Sequence, residues 1–105
     1  MAELFNIDDI ARFKDDKMTV HITHDSPNFR QLLFCFKPGQ DLPVHSHDVD
    51  SEVIMAIMDG EGSVIEDEKK IAVKRGDIVI GAVRVPHGIV AKTEMKVLVT
   101  ITPPL

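Results

Sequence analysis

The sequence has no tryptophan and no tyrosine, and five phenylalanines are its only large aromatics. Nucleic-acid bases would therefore find little to stack on. Basic residues are the minority, 12 Lys+Arg against 17 Asp+Glu, for a net charge of -5. No stretch gathers enough of them to hold a phosphate backbone, so neither nucleic acid nor an anionic membrane is an expected partner. No apolar run approaches the roughly 20 residues of a spanning helix. One cysteine, Cys35, excludes an intrachain disulfide. It lies in the apolar run 32–36 and reads as a small buried hydrophobe rather than a catalytic thiolate, which would need electropositive, partly exposed surroundings. The acidic first ten residues lack a charged-then-apolar leader pattern, so a cytoplasmic location is expected.

What is present suffices for one domain. A chain of 105 residues, 44% of them hydrophobic, can bury about two thirds of the surface it exposes when unfolded. Residues 6–13 read as one short helix. Asn6 is its N-cap, Asp8 and Asp9 suit its positive end, and Ile7, Ile10 and Phe13 share a face. From Met18 onward the pattern is of short strands: 18–23, 31–37, 42–47, 53–58, 62–65, 70–73, 77–80, 87–92 and 95–101. Breaks such as Pro38-Gly39, Asp59-Gly60 and Arg75-Gly76 carry turn residues. Many short, evenly spaced strands predict an antiparallel sandwich or barrel. Strands 53–58 and 97–101 are apolar on both faces, so a second sheet, a helix or a partner subunit must cover them. A homodimer is expected, with segment 3–13 or the tail strand laid over a neighbour's sheet.

Five histidines stand out. His45 and His47 are two apart on an expected strand, so their side chains leave one face. The acidic run Asp48, Asp50, Glu52 follows, and His87 comes later, directly after Pro86. Paired imidazoles with a carboxylate close behind suit Fe, Mn, Zn, Ni or Cu. His21 and His24, three apart and so expected on opposite faces, read as surface or partly buried residues. Met55, Met58 and Met95 read as core filler or a soft pocket wall.

The spacing around these histidines resembles the cupins. Their first motif is a glycine, five residues, His-x-His, three or four residues, a glutamate, six residues and a glycine. Here Gly39 is followed by His45-Ser46-His47, Glu52 and Gly60. In their second motif a glycine is followed at fixed distance by a histidine; Gly76 opens it here, and His87 stands at the required place. Ala82, Arg84 and Ala91 replace that motif's proline, glycine and asparagine. Seven residues rather than six separate Glu52 from Gly60, so counting back from Gly60 puts the family's glutamate position on Val53. Either a bulge absorbs the extra residue and Glu52 turns inward, or the site has three histidines.

The resemblance implies an all-β fold, an antiparallel jelly-roll β-barrel with one short N-terminal helix. A single domain would span residues 1–105, with helix and arm over 1–17 and both motifs within 37–91. It implies one divalent transition metal (Fe, Mn, Zn, Ni or Cu) held by His45, His47 and His87, with Glu52 as fourth ligand if it turns inward. The expected function is a metal-dependent enzyme, dioxygenase- or isomerase-like, acting on a small oxygen-rich molecule. The alternative is a non-catalytic module binding a small ligand or a metal. Arg84, three residues before His87, is a candidate grip for a substrate carboxylate, and Asp48, Asp50 and Glu52 are candidate acids or bases.

Overall fold

Alternation of apolar and polar residues sets the architecture. The computed structural model describes residues 2–105, so Met1 of the expected arm lies outside it. A four-residue helix, α1 (Ile7–Ile10), precedes nine strands among the described residues: β1 (Thr19–Asp25), β2 (Arg30–Phe36), β3 (Asp41–His45), β4 (Glu52–Asp59), β5 (Glu61–Glu66), β6 (Lys69–Lys74), β7 (Ile78–Ala82), β8 (His87–Ala91) and β9 (Met95–Thr102). Every expected strand is present, with ends displaced by at most two residues. The helix is shorter than expected. Asn6 caps it, its side chain accepting from the Asp8 and Asp9 N–H groups, but Ala11 is already extended, so Phe13 lies beyond it.

The strands form two antiparallel sheets, ordered β1-β2-β9-β4-β7 and β3-β8-β5-β6. This is a jelly-roll sandwich. The expected closed barrel is corrected: neither sheet closes on itself, and the edge strands β1, β7, β3 and β6 remain edges. Inward rows interdigitate into one core, with Phe36, Ile57, Val64, Ile89, Met95 and Val97 all at 2% exposure or less. At one end the backbones almost touch. A Cβ on Gly60, whose φ is +79°, would lie 2.0 Å from the Glu94 carbonyl oxygen, so the Asp59-Gly60 turn admits no side chain there.

The outer face of the five-stranded sheet is covered unevenly. Leu33 and Cys35 point away from the main core yet are buried. The arm runs over its own sheet: Lys96 pairs with Asp8 at 3.0 Å and stands over the Phe13 ring. Further along, the Thr19 hydroxyl donates to the Arg12 carbonyl, and Lys37 pairs with Asp15. Ile78 and Ile80 on β7 stay 64% and 60% exposed.

A bulge also changes the reading of β1. Ile22 pairs with Leu32 and His24 with Gln31, so two steps on β1 match one on β2. His21 and His24, opposite Leu33 and Gln31, therefore share a face rather than opposing one another. His24 stacks on Phe29 with ring centroids 4.1 Å apart.

Candidate metal centre

β3 and β8 run antiparallel, and their register slips where the histidines stand. Leu42 pairs with Ile89 and His45 with His87, three steps on β3 for two on β8. The extra residue falls at Pro43-Val44. Proline has no N–H to donate to a ladder, so a bulge is where it fits. The slip brings both Leu42 and His45, an odd number of residues apart, onto the inward side. Gly88 makes it possible, since a Cβ there would meet the Leu42 carbonyl at 2.7 Å and the Val44 nitrogen at 3.1 Å.

Both histidines are held by the same local device. His45 Nδ1 lies 2.8 Å from the Pro43 carbonyl oxygen and His87 Nδ1 lies 2.8 Å from the Val85 carbonyl oxygen. Only a protonated Nδ1 can donate to a carbonyl, so in the neutral ring Nε2 keeps its lone pair. The two ring centroids are 4.6 Å apart. His87 is 8% exposed, and its pKa is lowered. Burial is the main cause, the neighbouring His45 and His47 add to it, and the Val85 hydrogen bond opposes it.

His47 arrives by another route than expected. The strand ends at His45, and His47 sits in the following loop, its N–H donating to the Val83 carbonyl at 3.3 Å. Its ring centroid is 5.7 Å from that of His45, and the residue is exposed. His45 thus neighbours each of the other two rings, but among the described residues no three His, Cys, Asp or Glu side chains are arranged to hold an ion.

Glu52 is not brought to the rings. It opens β4 and is exposed, while Val53, Met55 and Ile57 face the core. β4 does contain a bulge, but between Ile57 and Asp59, too late to turn Glu52. The inward position belongs to Val53, as counting back from Gly60 gives. Asp48, Asp50 and Arg84 are likewise exposed.

Beneath the rings lies a cavity of about 170 Å³, lined by His45, His87, Leu42, Val53, Met55 and Arg30 among others. Met55 is thus a wall of the pocket, Met95 is core, and Met58 is 39% exposed. The arginine at the cavity is Arg30, not Arg84. Arg30 alternates with Leu32, Phe34 and Phe36, and that period-two signal assigns it to the inward face once the strand is begun at residue 30 rather than 31.

Sequence and fold comparisons agree with this architecture. No functionally curated protein is detectably similar. An RmlC-like cupin protein from Desulfovibrio desulfuricans is 39% identical, with all of both chains covered and a TM-score of 0.96. A protein from Thermus thermophilus is 24% identical over 99% of this chain and all of its own, TM-score 0.91. KdgF from Halomonas sp. is 20% identical over 97% of this chain and 94% of its own, TM-score 0.80. These last two carry the fold alone. The family model described as a cupin domain matches residues 32–101, about two thirds of the chain, and the protein belongs to that family.

Proposed function

We propose that the protein binds one divalent transition metal through Nε2 of His45, His47 and His87, and that the ion acts on a small molecule held in the adjoining cavity. The observation that carries this reading is the paired anchoring of His45 and His87. Each Nδ1 is committed to a carbonyl two residues back, the outer-shell contact that fixes a ligating tautomer. An ion about 2.1 Å from each Nε2, at bond angles between octahedral and tetrahedral, puts ring centroids roughly 4.5–5.2 Å apart. The 4.6 Å pair is within that range, and the 5.7 Å pair exceeds it by half an ångström. His47 is in an exposed loop with room to make up the difference. Glu52 is left out of the ligand set.

A divalent ion supplies Lewis acidity toward a carbonyl or hydroxyl oxygen, and Fe, Mn or Cu adds redox chemistry. The chain's own part is orientation of the ligands and exclusion of water by Leu42, Val53 and Met55. A metal-dependent enzyme of dioxygenase or isomerase type on a small oxygen-rich substrate is the leading reading. The second, a non-catalytic binding module, is favoured by one fact: among the described residues, the histidines and Arg30 are the only ionisable side chains lining the cavity. Cytoplasmic residence is part of the same proposal.

The test is elemental analysis of protein purified without chelator or an affinity-column metal, followed by thermal shifts with Fe(II), Mn, Zn, Ni and Cu at pH 8 and pH 5.5. A ligand at 100 times its Kd stabilises by about 2.7 kcal/mol, and the gain should be larger at pH 8. No shift at either pH, with His47→Ala behaving identically, overturns the reading. We also propose a homodimer through the bare Ile78–Ile80 half of the sheet. Light scattering should give two chains for the wild type and one for Ile80→Lys; a wild-type mass of one chain at every concentration refutes it.

A further inference from the structure

The cavity holds one charged side chain to which the metal reading gives no task. Arg30 pairs with Ile101, and Ile101 with Val53, so the three form one row across the five-stranded sheet. All three line the cavity that His45 and His87 also line. One Arg30 Nη donates to Asp25 Oδ2 at 3.0 Å. Its Nε–H is buried and meets no acceptor among the described residues. A buried donor left unpaired is costly, and more so on a charged group. A guanidinium edge is shaped to receive a carboxylate. The remaining walls, Leu32, Phe34, Met55 and Val99 among them, are apolar. At about 170 Å³ the space is below the roughly 300–1,000 Å³ of drug-sized pockets.

We propose that Arg30 is an anion anchor, and that the cavity takes a small carboxylate with a short apolar body, its charged end on the Arg30 guanidinium and its other end toward His45 and His87. The orientation of that other end rests on the metal reading; the anchor itself does not. Apolar walls select the body, Arg30 selects the charge, and Asp25 holds the guanidinium in place.

The probe is isobutyrate, with isobutyramide as its uncharged twin, titrated into the full chain while the arginine Nε–H signals are followed by proton–nitrogen NMR. The Arg30 signal, identified by its loss in Arg30→Lys, should move with isobutyrate and stay still with isobutyramide. Arg30→Lys and Arg30→Gln should each weaken isobutyrate binding roughly 10–100-fold, the usual worth of a charge-assisted hydrogen bond. Their zinc-dependent thermal shift should match the wild type. His47→Ala should do the reverse, losing the zinc shift and keeping isobutyrate. Absence of a thermal shift with every one of Fe(II), Mn, Zn, Ni and Cu in the wild type would remove the metal reading and leave the anchor standing on the isobutyrate result. The anchor is overturned if isobutyramide binds as well as isobutyrate, or if both arginine variants bind isobutyrate like the wild type. It is also overturned if the wild-type Nε–H signal stays fixed up to about 50 mM, a generous range for so few ligand atoms. That signal is read on the unaltered chain, so a variant that fails to fold does not spare the proposal.

Discussion

The two ends of the sandwich are built from the same strands to opposite rules. At the closed end, Phe36 faces Met95 across the ladder, Gly60 lets the Glu94 backbone press in, and the Phe36 and Met95 side chains are fully buried. At the open end, the same β2 and β9 finish in Arg30 and Ile101, and β3 and β8 present His45 and His87 around a cavity. One end carries stability and the other carries polar groups whose pairing within the chain is incomplete. A domain can keep such groups because its hydrophobic contacts are concentrated elsewhere.

The comparison breaks hardest at the closed end. Phe36→Ala, at a fully buried position, should cost about 3–5 kcal/mol in denaturant unfolding. Any metal response of the variant that still folds should persist. If Phe36→Ala costs under about 1 kcal/mol, the closed end is not the stabilising one.

At the open end the effect should fall on binding. His45→Ala removes a proposed ligand from a half-buried position and should lower metal affinity more than about 100-fold, since even outer-shell partners are worth 10–100-fold. Its stability cost without metal should stay near 1 kcal/mol, the scale of one partly solvated hydrogen bond. Isothermal titration and denaturant melts measure the two separately. A stability loss equal to that of Phe36→Ala, with affinity unchanged, would erase the distinction.

A smaller effect is expected from pH. His87 has a folded pKa below the ordinary histidine value near 6.5. Between the two values the unfolded chain binds the proton and the folded chain does not, so stability falls as pH drops. The loss begins below about 6.5 and is complete below the folded value. Metal-free denaturant melts should show it, and His87→Gln should flatten it. A metal-free protein that gains stability over that window contradicts the assigned burial.

The smallest effect sharpens the boundary of the site. Glu52→Gln, on the outward face of β4, should leave stability within about 0.5 kcal/mol and metal affinity within a measurement's error. A marked loss of affinity would put Glu52 back among the ligands.

Nine strands, their turns and the N-cap at Asn6 were readable from the chain, because alternation and turn chemistry are local. Histidine adjacency was readable only through motif spacing, and for a partly wrong reason. His45 and His47 were expected on one strand face, whereas His47 is in a loop tied to Val83. The faces of His21 and His24 were misassigned, since a bulge depends on the partner strand and leaves no mark in alternation. Arg30 was missed by one residue at a strand boundary, where helix and strand ends are least distinct.

The sequence by itself determined which residues alternate inward, where the chain turns and which side chains could ligate a metal. Those properties follow from side-chain chemistry and a two-residue period. Only the tertiary structure decided that the sheets stay open rather than close, that the bulge at Pro43-Val44 carries His45 inward beside His87, that Val53 rather than Glu52 faces the cavity, and that Arg30 shares it. Each depends on register between strands distant in sequence, and a one-residue change of register, invisible along the chain, sends a side chain to the other face.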